Sequence, residues 1–347
     1  MCLRKANFVI VASVLGACLS PPLPAQTFSA QTLSAQTLPA LQENSRVAPL
    51  VVSDLPLDGA RRFELEDAIA RRDYKRAETM LVDEIARDPK STRAAKLLVA
   101  VAGIFFLDGQ HLNAAIAWKK AEAIAPLDER SKFTLAMAYI RLNRNDWARQ
   151  ELERLAAAEP RNPLYQYWLA RLDYHAQEYT AAIVRLQQVI KLDSQMMRAY
   201  DSLGLCYDYL GQYDEAIKNY RQAIQLNRQQ SPPSPWPHVN LAISLIAVNQ
   251  LTEAENHLRE ALGYDAKLPQ AHYQLGQVLE KQGRYAEAIE SLTQAALLNP
   301  AYPEPHYTLG KIYQKQGDKK QATEAVKRFQ QLKGKNTHLP TSSAPPH

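Results

Sequence analysis

Eight alanines recur along the chain at almost constant spacing: Ala77, Ala114, Ala148, Ala182, Ala216, Ala254, Ala288 and Ala322, separated by 37, 34, 34, 34, 38, 34 and 34 residues. A period of that length marks a stack of small supersecondary units, each unable to bury its apolar face alone. Twelve residues before each alanine stands Leu65, Ala102, Ala136, Ala170, Gly204, Ala242, Gly276 or Gly310, small in every case but the first. A larger apolar column precedes these: Val101, Leu135, Leu169, Leu203, Leu241, Leu275 and Leu309. Two small residues twelve apart, one on each of two antiparallel helices, let the helices cross closely while the larger neighbours fill ridges and grooves. Between the two columns lie Gly109, Asn143, Gln177, Gly211, Asn249, Gly283 and Gly317. Glycine and asparagine tolerate the left-handed conformation that ends a helix. Pro163, Pro235, Pro269 and Pro303 open first helices, and Pro89, Pro126, Pro160 and Pro300 follow second helices.

In the seventh unit Tyr273, Leu275-Gly276, Leu279, Gly283, Tyr285, Ala288, Leu292, Ala295 and Pro300, and in the fifth Leu203-Gly204, Tyr207, Gly211, Tyr213, Ala216, Tyr220 and Ala223, resemble the tetratricopeptide repeat. The resemblance implies an all-α fold, a right-handed superhelical solenoid of about eight helix-turn-helix repeats. Units start near residues 58, 95, 129, 163, 197, 235, 269 and 303 and span 58–334. Unit one, with Glu64-Leu65 where an apolar and a small residue belong, reads as a cap, and so does the end of unit eight around Lys327, Arg328, Phe329, Leu332 and Lys333. Four extra residues between units five and six, in the proline-rich stretch 229–237, predict a protruding, locally stiff loop.

Residues 1–25 have the parts of a secretory signal: Arg4 and Lys5, an apolar run from Phe8 to Leu19, then small residues and prolines to Ala25. The run is too short to span a bilayer. Two processing readings stand side by side. Leu15-Gly16-Ala17-Cys18 resembles the lipobox of bacterial lipoproteins, which implies a signal of 1–17 and a lipid on Cys18; alternatively the leader is cut after Ala25. Either way the expected address is outside the cytoplasm, in a bacterial periplasm or anchored by lipid to the outer membrane. Residues 26–57, beginning with a polar five-residue repeat, read as a flexible spacer, and 335–347 as a disordered tail. Of three cysteines, two lie in the leader, so no disulfide framework is available and the core must hold the fold.

The resemblance also implies where a partner would sit, because the family's first helices line a concave groove. Its groove positions here are Val99, Phe106 and Leu107 in unit two, Phe133, Met137 and Ile140 in unit three, and Leu164, Tyr167, Arg171 and Tyr174 in unit four. Unit five supplies Arg198, Leu205 and Tyr209 beside Asp201 and Asp208, and unit six supplies Val239, Ile243 and Ile246. Units seven and eight are polar there apart from Tyr273 and Tyr307, with Lys311 among the cations. An apolar stretch of this size needs a cover. A partner peptide, burial by neighbouring helices, and the chain's own segment 47–52 are the three covers considered. The lysine and asparagine pair by which one sub-family grips terminal carboxylates is missing in every unit.

No nucleophile motif, phosphate loop or metal-ligand cluster stands out, so no enzyme, cofactor or metal is expected. His238, His272 and His306 recur at one repeat position, but equivalent residues of stacked helices lie roughly 8–10 Å apart, too far to share one zinc. A net charge of +5, or +3 without Arg4 and Lys5, is too mild to argue for nucleic acid, and nothing suggests a small-molecule substrate. The expectation is an exported, non-enzymatic protein-interaction scaffold, similar at fold level to the pilotins of pilus secretins. The alternative is the recognition arm of a glycosyltransferase- or protease-associated system with catalysis on another chain.

Overall fold

The computed structural model describes residues 52–337, with the side chains of 335–337 left aside. The leader, Cys18, residues 26–51 and residues 338–347 lie outside the described part. Among the described residues the secondary structure is helical: a short 3-10 turn, Val52–Asp54, and sixteen α-helices in eight antiparallel pairs. The first four pairs are α1 Gly59–Ala70 with α2 Tyr74–Arg87, α3 Thr92–Leu107 with α4 His111–Glu122, α5 Glu129–Arg141 with α6 Asn145–Ala158, and α7 Pro163–His175 with α8 Tyr179–Leu192. The second four are α9 Met197–Tyr209 with α10 Tyr213–Asn227, α11 Trp236–Ala247 with α12 Leu251–Tyr264, α13 Pro269–Lys281 with α14 Tyr285–Leu298, and α15 Glu304–Lys315 with α16 Lys319–Thr337.

Each pair turns in the same way. Gly109, Asn143, Gln177, Gly211, Asn249, Gly283 and Gly317 all have positive φ, as does Arg72 in unit one. The residue after each donates its N–H to the carbonyl five positions back, at 2.8–2.9 Å, for example Gln110 to Phe105, Glu178 to Asp173 and Arg284 to Leu279. This closure satisfies carbonyls that the helix end leaves open. First helices are started by side chains in several units: Asp58, Ser91 and Asp128 accept from the N–H three residues on, and Asn162 accepts from Leu164 N–H ahead of Pro163.

The small columns meet at the crossings. Ala102, Ala136, Ala170 and Ala242 are fully buried, as are Ala77 through Ala288 of the first column. At Gly204 a β-carbon would lie 2.5 Å from the ring of Tyr220, and at Gly276 it would lie 2.5 Å from Cγ of Leu292. Glycine there permits an approach that alanine would block. The first helices of successive units touch one another directly from unit four to unit eight, whereas second helices mainly meet the first helices on either side. Rows that approach more closely lie on the inside of a curved stack, so the first helices form the concave side.

Two boundaries differ from the expectation. Residues 52–57 are not free spacer: Val52, Leu55 and Leu57 are buried, and Arg62 and Arg93 donate to the carbonyls of Leu57 and Pro56. Their apolar side chains cover the otherwise bare end of unit one. The final helix runs to Thr337, past the expected boundary at 334. The stretch between units five and six is pinned, because the buried amide of Asn227 donates to Ser234 O at 2.7 Å and accepts from Ser234 N–H at 2.8 Å.

Candidate partner-binding groove

Much of the anticipated apolar groove is closed in this structure. Phe133, Met137, Tyr167, Arg171, Tyr174 and Val239 are buried, so they do not line an open surface. Val99, Phe106, Ile140, Leu164, Arg198, Leu205, Ile243, Ile246 and Tyr273 are half-buried. Leu107, Tyr209, Tyr307 and Lys311 are exposed. Close packing accounts for much of the difference. Phe133 meets the ring of Tyr165 in the next unit at 5.7 Å, and Phe106 lies against His111 and Trp118 of its own unit. Leu205, Ile243, Ile246 and Tyr273 pack against the continuous core of units five to eight. Tyr273 also stands edge-on to Tyr302 and accepts from Gln277. Lys311 is drawn to Glu280, which also binds Lys315.

What remains on the inner side of units four to six is a polar floor with an aromatic wall. Tyr179 and Tyr209 stack at 4.8 Å, and Tyr174 stands edge-on to both. Beside them lies Arg171, whose buried Nε and Nη2 meet no acceptor among the described residues. Burial opposes its charge, but Tyr167, Tyr174 and Asp201 around it outweigh that and raise its pKa. Asp201 accepts from Asn240 at 2.9 Å. Asp208 accepts from Ser244 and from Tyr220, both at 2.7 Å. Burial lifts both carboxyls to about 6, against the hydrogen bonds that pull them down. Sequence reasoning placed Arg171 and the two aspartates in the groove. It missed Ser244 and Tyr220, which do not occupy the inner positions and become relevant only because Asp208 turns toward them.

Behind this floor Asp173 is almost wholly buried between Arg149 and Arg185, which donate to its two oxygens at 2.7 Å each. Each oxygen of that carboxylate accepts from one arginine, so it joins units three and four. Cys206 is buried and free, its thiol pushed up to about 12 by burial.

The three repeat histidines do not come together, in line with their spacing. His238 instead faces His257 of its own unit, with Nδ1 atoms 3.1 Å apart. Burial takes His238 down to about 4, so its ring is neutral at neutral pH. Comparison of units could not reveal His257, because it has no counterpart histidine in the other repeats.

Helix pairs of this length, closed by left-handed turns and stacked through small-residue columns, define an α-solenoid repeat protein. Family models agree along nearly the whole described region. Models described as tetratricopeptide repeat match residues 209–278, 269–292 and 303–336, one described as TPR repeat matches 281–317, and the tetratricopeptide repeat protein 21 C-terminal ARM domain matches 68–234. The chain is a tetratricopeptide repeat protein. It is 29% identical over 116 residues to cell division cycle protein 27 homolog A of Arabidopsis thaliana, a match covering 33% of this chain and 16% of that protein. Among solved structures, a tetratricopeptide repeat protein from Parabacteroides merdae superposes with a TM-score of 0.59 at 15% identity, covering 78% of this chain and 98% of the other. The Cut9–Hcn1 hetero-tetramer of the APC/C gives 0.57 at 14% identity, covering 87% and 56%. The type IV pilus biogenesis factor PilW gives 0.54 at 18%, covering 60% and 94%. The likeness to these structures is one of fold. Repeats of this family support a protein–protein interaction scaffold.

Proposed function

We propose that this chain is an exported, non-enzymatic scaffold of the bacterial cell envelope that holds a segment of a partner protein against the inner face of units four to six. The observation that carries the reading is the exposed ring of Tyr209, stacked on Tyr179 at 4.8 Å on the inner side of the stack. Tyr209 and the half-buried Tyr179 supply the aromatic anchor on which an apolar side chain of the partner would rest, and the buried Tyr174 backs both edge-on. Asp201 and Asp208 are engaged by Asn240, Ser244 and Tyr220, so the aromatic pair is what this face offers a partner. The envelope address rests on the leader, with Arg4 and Lys5 before the apolar run, and the lipid anchor rests on the Cys18 motif alone.

A photo-crosslinker placed at exposed Tyr209, in the native host, tests the groove. The expected result is capture of pore or secretin subunits that falls at least about tenfold in a Tyr179→Ala background whose helical circular dichroism is unchanged. Equal capture with and without the Tyr179 ring would remove the groove reading, and recovery of a glycosyltransferase or protease would favour the adaptor alternative. Fractionation of Cys18→Ser separates the two processing readings: if the variant stays with the membrane, the lipid anchor is wrong.

A further inference from the structure

Three potential ligand atoms converge in unit six, away from the groove. His238 lies in the first turn of α11, while His257 and Glu260 lie three residues apart on α12, a spacing that puts both side chains on one face. His238 Nδ1 is 3.1 Å from His257 Nδ1 and 2.9 Å from Glu260 Oε2, and His257 Nδ1 is 3.7 Å from the same carboxylate oxygen. All three ligand atoms lie within 4.8 Å of one another.

We infer that His238, His257 and Glu260 form a binding site for one divalent transition-metal ion of the zinc class, which would brace α11 against α12. The circle through three atoms separated by 3.1, 2.9 and 3.7 Å has a radius of about 1.9 Å, slightly shorter than the roughly 2.0–2.2 Å of zinc–nitrogen and zinc–carboxylate bonds. An ion therefore reaches all three by standing just off their plane, and its remaining position faces solvent beside the exposed Glu260. Two imidazoles and one carboxylate are donors that select zinc, copper or nickel over calcium or magnesium. The surroundings suit this use. His238 is buried, with the ring of Tyr264 edge-on at 5.4 Å, which limits how far it can swing. The second nitrogen of His257, Nε2, lies 3.7 Å from Glu253 Oε1, and Arg221 holds that carboxylate at 2.8 Å. That distance is just beyond a hydrogen bond; a closure of a few tenths of an ångström on metal binding would let the carboxylate fix the tautomer of the ligating imidazole and raise its basicity. Metal binding would tie the start of α11, just after the pinned stretch that follows unit five, to the last turns of α12.

The test uses the full chain, untagged and stripped with EDTA, titrated with zinc by calorimetry and with cobalt by visible absorption. The expected result is one ion per chain, a cobalt d–d spectrum of low coordination number, and a rise of at least about 2 °C in the unfolding midpoint at saturating zinc. His257→Ala and Glu260→Gln alter side chains at the accessible edge and should each weaken binding tenfold or more with helical content unchanged. Glu253→Gln should keep the 1:1 stoichiometry while weakening affinity about tenfold. The inference is overturned if the folded chain binds no zinc at 100-micromolar-scale concentration, or if stoichiometry and affinity survive His257→Ala together with Glu260→Gln.

Discussion

Tyr220 donates its phenolic proton to Asp208 across 2.7 Å, and the ring carrying that hydroxyl is the surface on which the backbone of Gly204 rests. A β-carbon at residue 204 would fall 2.5, 2.7 and 2.8 Å from three atoms of the ring. The ring is fully buried and held at its far end, so it cannot swing aside.

Gly204→Ala is therefore expected to destabilise the fold by about 2 kcal/mol, the usual scale for forcing an extra methyl into a packed core. Gly103 is the control: it is also helical, with nothing within 4 Å of the corresponding position. Gly103→Ala should stabilise by about 0.5–1 kcal/mol through backbone entropy. Urea midpoints that shift in the same direction for the two variants would contradict the close crossing at Gly204.

Asp173 is the buried charge of the Arg149–Asp173–Arg185 cluster, so removing either arginine leaves that carboxylate short of a partner. Asp173→Ala removes the buried charge itself and leaves two partly exposed arginines, so it should cost about 1–3 kcal/mol. A double-mutant cycle with Arg149→Met measures the pairing, and it should give a coupling well above the roughly 0.5 kcal/mol of independent sites.

Asp201 and Asp208 set a pH dependence. Their folded values of about 6 stand above the roughly 3.9 of an unfolded aspartate, so the fold favours their neutral forms. Their contribution is complete below pH of about 4 and is lost as pH rises through about 6. Relative to wild type, the Asp201→Asn/Asp208→Asn chain should lose less stability between pH 4 and pH 6.5, as read from chemical denaturation at several pH values. Identical slopes would mean that the two carboxyls do not feel their burial.

Asn227 holds the stretch after unit five by two hydrogen bonds to Ser234. Asn227→Ala should free residues 228–234, seen as cleavage there at protease concentrations that leave wild type intact, with a loss of about 1–3 kcal/mol.

The repeat was legible because it rests on local constraints that a sequence displays openly. The positive-φ turns fell on the residues named for them in seven units, and the small residues fell on the crossings. Arg72 was the exception, since an arginine in a left-handed turn carries no compositional signal. The state of the groove was not legible. Position in a repeat says which way Tyr167 or Met137 points but not how closely the next unit leans on it, and a small change in that lean separates a surface from a core. The same holds for Val52, Leu55 and Leu57, whose partner is the bare end of the stack and not a residue in any local pattern. His257 escaped because attention to repeated positions hides a pairing that occurs in one unit only.

Cys206 gives the middle of the stack a reporter that needs no added label. With its sulfur shut away and its thiolate scarce at neutral pH, a thiol reagent reaches it only while the fifth unit is open. Its modification rate therefore counts openings of that unit, and slower labelling after a partner docks on the adjoining inner face would measure how firmly the partner clamps the stack shut.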